Sequence, residues 1–227
     1  MIVLTFDTDY MNPEWMEAFV NRYPKLPRST FFLHKDTLDW ESSYHEINEH
    51  PTIDNLSEYS LSANLGRPVR GKGIRSHSCV SSHMLSINWA QSGIKYQSQE
   101  TRFGQSYKGP ERTAWGIFEV PISYMDNQDI WMEINWPGKH RKFSQELIDF
   151  AVNSNEIFLF DFHPVHIALN TQSAADYALK KTQLNQLMTE PWDSSNSNEG
   201  VRDFFERVLS SIQKSSSKTS TCEELFK

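Results

Sequence analysis

Only two of the 227 residues are cysteine, Cys79 and Cys222. Two cysteines cannot staple a small secreted fold, and such usage fits a reducing compartment. The N-terminus lacks a basic flank, an apolar stretch and a small-residue cleavage site, since Met1 leads straight into Ile2-Val3-Leu4. A cytoplasmic location is therefore expected. No apolar run approaches the roughly 20 residues of a membrane-spanning helix. Basic residues are also short, with Lys+Arg at 22 against Asp+Glu at 29 and a net charge of -7. Nucleic acid and anionic membranes both require clustered Lys and Arg, so neither is expected as the main partner. The hydrophobic share is a modest 38%, but 13% of the residues are aromatic and supply large buried area per side chain, which argues against a disordered chain. The length suits a single domain over 1–214, with a motif-bearing core at 1–170, helices over 171–214 and a Ser/Thr-rich tail at 215–227. Oligomeric state is not legible. What is plentiful is histidine: eight in an acidic chain.

Ile2-Val3-Leu4-Thr5-Phe6 reads as a buried strand that ends polar in Asp7-Thr8-Asp9. Asn12-Pro13-Glu14 opens a helix with Asn as cap and Pro at its first position. Ser29–Leu33 is a second strand, so the chain begins β-α-β and favours parallel pairing. Residues 40–51 are ambiguous between helix and strand, and 52–72 read as loop. Gly73–Ser78 is a further strand end, followed by a helix over 82–91. Ile94–Tyr96 and Trp115–Tyr124 read as strands, with Pro121 making the latter irregular or an edge. A helix over 143–153 precedes the strongest strand, Glu156–His163. Helices over 173–188 and 199–214 follow, and the stretch 215–221 is expected to be a mobile tail. This alternation gives an α/β protein, either an irregular barrel or an open sheet.

Three of these strand ends carry ionisable pairs at i and i+2, which share one face of a strand: Asp7 with Asp9, Arg75 with His77, and Asp161 with His163. The C-terminal strand ends form the site face of parallel α/β folds. Charges there are costly unless they pair, bind metal or do chemistry. The competing reading is a buried ion-pair network. His50 and Asp54, four apart, suit two metal ligands, and His163-Pro164-Val165-His166 adds a further pair. His83 reads as structural. His34, His45 and His140 read as solvated surface, and Lys139–Lys142 as an exposed basic turn. Among seven tryptophans, core packing is the ordinary role and a sugar-stacking platform the functional one. Asp-x-Asp after a strand also occurs in phosphatases, but Asp126 and Asp129 are poor candidates for their late acidic pair.

Thr5-Phe6-Asp7-Thr8-Asp9, Gly73-Ile74-Arg75-Ser76-His77-Ser78 and Phe160–His166 together resemble the NodB-homology polysaccharide deacetylases, carbohydrate esterase family 4. The resemblance is to a divergent branch associated with bacterial O-antigen clusters and covers roughly residues 1–170. It implies a distorted (β/α) barrel of about seven strands with C-terminal helices, and a divalent metal, Zn²⁺ by preference. It implies an N-acetylated sugar or glycan precursor as substrate. By the same resemblance Asp7 is the catalytic base, Arg75 its steadying partner and His163 the general acid. Asp9 and His50 would hold the metal with either Asp54 or His77. His166, Asp161 and Trp115 are further substrate-side candidates, and Asp161 or His166 would tune His163. Thr8 splits the family's usual adjacent Asp pair, and Asp54 stands where the second motif has its second His. These departures leave open a non-catalytic carbohydrate-binding protein, or hydrolysis of another amide or ester.

Overall fold

The computed structural model describes every residue except 55–60, 62–65, 132–141, 183 and 185–197. Its strands are β1 (Ile2–Asp7), β2 (Thr30–Leu33), β3 (Glu46–Glu49), β4 (Gly73–Ile74), β5 (Tyr96–Gln97), β6 (Glu111–Arg112), β7 (Phe118–Glu119), β8 (Tyr124–Met125), β9 (Phe158–Phe162) and β10 (Thr219–Ser220). Its α-helices include α1 (Pro13–Arg22), α2 (His83–Gln91), α3 (Asp126–Trp131), α4 (Gln145–Asn153), α5 (Pro164–Leu169), α6 (Ala174–Lys181) and α7 (Val201–Lys214). Asn12 caps α1, its side chain accepting from the Trp15 N–H at 2.8 Å, as its Asn-Pro start implies.

The sheet runs β6-β7-β5-β4-β3-β2-β1-β9-β8, parallel except where β6 meets β7. It curls, and one stretch of chain supplies both of its ends. Residues 118–119 pair with β5, and 124–125 pair with β9. Between them the Ile122 N–H donates to Glu100 O and the Ser123 N–H to Leu159 O. Pro121 and the turn of the chain beside it divide what the sequence suggested as one strand into β7 and β8. Counting that stretch once, with β1 to β5 and β9, gives the distorted barrel of about seven parallel staves that the resemblance implied.

Alternation along the staves separates two apolar layers. Ile2, Leu4 and Phe6 of β1 and Phe158, Phe160 and Phe162 of β9 face outward into the helical layer. There α7 contributes Val201, Phe204, Phe205, Val208 and Ile212, spaced as one face of a helix. Phe6 stacks on Phe31 at 4.6 Å and meets Phe205 edge-on at 5.8 Å. Val3 and Leu159 point into the barrel with Phe32, Tyr96, Ile122 and Cys222.

The stretch after Ser215 corrects the expectation of a mobile tail. β10 pairs in parallel with Ile2 and Val3. Cys222 is fully buried, and its N–H donates to Thr30 Oγ1 at 2.9 Å. Phe226 stacks on Tyr96. Apolar residues at Cys222, Leu225 and Phe226 give the segment something to bury, which its Ser/Thr-rich start conceals. The expected helix over 173–188 is α6 to Lys181; its remainder lies largely outside the described residues.

Candidate active site

The C-terminal ends of β1, β4 and β9 open onto a cleft of about 270 Å³, lined by Asp7, Asp9, His50, His77, Ser78, Cys79, Met125, Asn127, Gln128, Trp131 and His163. All three i, i+2 pairs therefore reach one place, although not every member faces the cleft. Ser78 and Cys79 hold left-handed backbone, φ 58° and 51°, a conformation that non-glycine residues adopt at a cost and that gathers at functional sites.

Asp9 lies at the centre. Its Oδ1 is 2.7 Å from His77 Nδ1 and its Oδ2 is 3.0 Å from His50 Nε2. One donor atom from each of these three residues lies within 4.8 Å of the others. The tautomer of His50 follows from its neighbours. Its Nδ1 is 2.7 Å from the Arg75 carbonyl oxygen, an acceptor, so Nδ1 carries a proton. Nε2 then presents a lone pair to the Asp9 carboxylate unless a proton or a cation stands between them. One carboxylate and two imidazoles are an ordinary donor set for Zn²⁺, so the residues present fit a divalent metal. Burial opposes the charged form of Asp9, but His50, His77 and His163 outweigh it and hold the carboxyl well below its usual range. Burial would likewise depress the His50 imidazolium, yet Asp7 and Asp9 raise it to about 9.

Beside this group Arg75, fully buried, binds the interior carboxylates together. Its Nη1 donates to Asp7 Oδ1 at 2.9 Å, to Thr5 Oγ1 at 3.1 Å and to Asp161 Oδ1. Nη2 and Nε are held by Ser98, and the guanidinium lies over the Phe32 ring at 4.3 Å. Parallel register puts Thr5 opposite Asp161, and the Thr5 hydroxyl donates to Asp161 Oδ1 at 2.7 Å. Burial pushes Asp161 up to about 7 against the pull of Arg75.

His163 reaches the cleft from the end of β9. Its Nδ1–H donates to Asp126 Oδ1 at 2.7 Å and its backbone N–H to Asp126 Oδ2 at 2.8 Å. That leaves Nε2 toward Asp9, 3.8 Å from Oδ2. Burial disfavours the imidazolium, but Asp126, with Asp7 and Asp161 adding to it, outweighs that and raises it to about 10.

Several expectations need correction. Asp54 is exposed and supplies no atom to the Asp9 group; it borders a separate cavity beside His50. The chain leaves β3 through His50-Pro51 and carries Asp54 away, so His77 takes the adjoining position. Asp161 and His166 are buried and do not line the cleft. Asp161 faces Arg75. His166 lies against Tyr177, ring centroids 4.4 Å apart, with Nδ1 3.1 Å from Thr171 Oγ1. Trp115 is off the cleft and rests on His83. His34 is 8% exposed rather than solvated, with Nε2 3.9 Å from Asp9 Oδ1. His45 is half-buried, its Nδ1 accepting from the Ser29 N–H at 3.2 Å. His140 and most of the basic turn around it lie outside the described residues. The sequence reading missed Asp126 as the partner of His163, and Asn127, Gln128 and Trp131 as a cleft wall. The available signal was the buried-strand pattern before Asp126, which puts it at another strand end.

The profile of one family, the WbmS-like polysaccharide deacetylases, matches residues 4–181. No curated protein matches the chain. Among solved structures, a candidate polysaccharide deacetylase of O-antigen biosynthesis from Bordetella bronchiseptica, WbmS, is similar at TM-score 0.68 and 19% identity. That match covers 92% of this chain and 89% of the other. A candidate polysaccharide deacetylase from Mycobacterium smegmatis gives TM-score 0.45 and 15% identity over 97% and 93% of the two chains. The 4-alpha-glucanotransferase of Thermococcus litoralis gives 0.51 and 10%, over 99% of this chain and 38% of that one. At 19% and 10% identity the Bordetella bronchiseptica and Thermococcus litoralis structures speak to the fold alone; the profile, matched over well more than half of the length, assigns the chain to the WbmS-like polysaccharide deacetylase family.

Proposed function

We propose that the protein hydrolyses an N-acetyl or related acyl group from an amino sugar, releasing acetate and a free amine. One observation carries this reading: Asp7 and His163 line the same cleft as the Asp9, His50 and His77 group, each with a charged partner. Asp7 serves as the base. It accepts the proton of the attacking water, and Arg75 holds it oriented for that transfer. His163 serves as the acid. Asp126 keeps its imidazole charged, so Nε2 has a proton to give the departing amine nitrogen as the C–N bond breaks. Asp9, His50 and His77 would hold a divalent cation, Zn²⁺ for this donor set; when bound, such an ion polarises a carbonyl and makes water more acidic. The O-antigen role described for the Bordetella bronchiseptica relative supports a surface-glycan sugar or its precursor as substrate. The free thiols Cys79 and Cys222 support a cytoplasmic setting.

The test couples acetate release on a panel of N-acetylated sugars with metal analysis of the purified protein. Replacing Asp7 with Asn should lower turnover by about 10²–10⁴-fold, the range for positioned acid–base groups, with metal content unchanged. Near-normal turnover in Asp7→Asn would remove Asp7 as the base. Absence of both metal and acetate release in the native chain would overturn the reading as a whole.

A further inference from the structure

A second cavity, of about 260 Å³, adjoins the cleft and nearly equals it in size, and His50 lines both. Leu33 ends β2 and His50 follows β3, so this cavity also lies at C-terminal strand ends. In the sheet, β2 and β3 stand between β1 and β4, two of the strands whose ends carry the cleft. The two spaces are therefore neighbours on one face of the barrel, with His50 as their common wall. The volume is near the lower end for ligand sites, about 300–1,000 Å³, and suits one ring rather than a chain of them.

Leu33, Leu38 and Pro51 give the cavity apolar surface, and Lys35, Thr52 and Asp54 give it polar groups. Lys35 and Asp54 are exposed, and among the described residues neither side chain has a hydrogen bond or ion pair, not even with the other. An ammonium only donates and a carboxylate only accepts. An anionic ligand would set its charge against Asp54, and a cationic one against Lys35. A neutral polyol meets both, because its hydroxyls accept from the one and donate to the other. The C–H face of a sugar ring also suits the apolar wall. We infer that this cavity binds the sugar unit next to the one that is deacylated, with Lys35 and Asp54 holding its hydroxyls, so that the substrate is a disaccharide or longer. This rests on the reading of the cleft as an amino-sugar deacylase site.

The test compares kcat/KM for acetate release from N-acetylated monosaccharides with that from disaccharides extending each by one hexose on either side. In the native protein the best disaccharide should exceed its monosaccharide by at least about 10-fold, since binding away from the reacting centre can be used at that centre. Lys35→Ala and Asp54→Ala should each lower this ratio about 10-fold, the low end for a hydrogen bond to a charged group, chiefly through KM. Damage to the fold lowers both rates together, so only a lost contact with the second sugar moves the ratio. A native protein indifferent to the added hexose, or a ratio unmoved in either variant, would overturn the inference and leave the deacylase reading standing. A ratio lowered by Lys35→Ala but raised by Asp54→Ala would put an anionic group in the cavity and overturn it as well. No acetate release from any member of the panel would sink both.

Discussion

Asp126 spends both carboxylate oxygens on one residue, His163, and so fixes where that imidazole points and which nitrogen faces the cleft. Replacing it with Asn keeps the shape and removes the charge. Burial then acts on His163 without its main counterweight, and its pKa falls from about 10. If the protonated ring is the acid, the alkaline limb of the pH–rate profile should move to lower pH, with turnover reduced about 10–100-fold. An alkaline limb that stays in place would separate Asp126 from the acid. His166 titrates in the opposite sense. Burial outweighs the pull of Asp126 and depresses it to about 4, with the His163 charge adding and Asp9 and Asp176 opposing. At pH 7 it is neutral folded or unfolded. Below about 6.5 the unfolded chain takes up a proton that the folded one refuses, so stability falls until about pH 4, by roughly 3 kcal/mol in all. His166→Gln should flatten this part of the urea-unfolding profile between pH 6.5 and 4.5; an unchanged slope would assign the loss to other groups. The contrast marks what a motif can convey. Spacing located His163, whereas the opposite protonation of two histidines three apart depends on Asp126, 37 residues upstream.

At the scale of elements, long or strongly patterned segments were legible with their bounds, whereas the two-residue strands β4, β5, β7 and β8 were legible only within longer or differently bounded runs, and β6 and β10 not at all. Ile2–Asp7, Pro13–Arg22, Phe158–Phe162 and Val201–Lys214 announce themselves through alternation, a cap or a helical stripe. β4 has too few residues for any period, yet it delivers Arg75 and His77; only their pairing with the other strand ends exposed it. α3 is likewise short, with Asp126, Asp129 and Ile130 buried while Asn127, Gln128 and Trp131 turn to the cleft. That division depends on what the helix meets, not on its composition. The C-terminal segment is a similar case, since its partner is β1, more than 200 residues earlier. Truncation before Thr219 should remove about 3–5 kcal/mol, the value of burying Cys222 and most of Leu225 and Phe226. Differential scanning calorimetry would show the lower Tm. An unaltered Tm would mean that the barrel closes as well without the segment.

For the molecule as a whole, the barrel keeps two kinds of layer apart with a single residue of offset. On β1 and β9, Phe6 and Phe162 lie toward the helices while Asp7 and Asp161 lie toward Arg75. Parallel strands of similar apolar content would otherwise accept several alignments. Slide β9 by one residue against β1, and the acid would be thrust among phenylalanines while a phenyl ring displaced the guanidinium's partner. An unpaired carboxylate in that apolar layer costs several kcal/mol, far beyond the difference between neighbouring Leu and Phe contacts. Asp7, Arg75 and Asp161 thus also discriminate between right and wrong strand alignments. Neutralising Asp161 and Arg75 together would leave the hydrophobic pattern intact yet remove the main penalty against misalignment, tying fidelity of folding to the guanidinium that also holds the proposed base, Asp7.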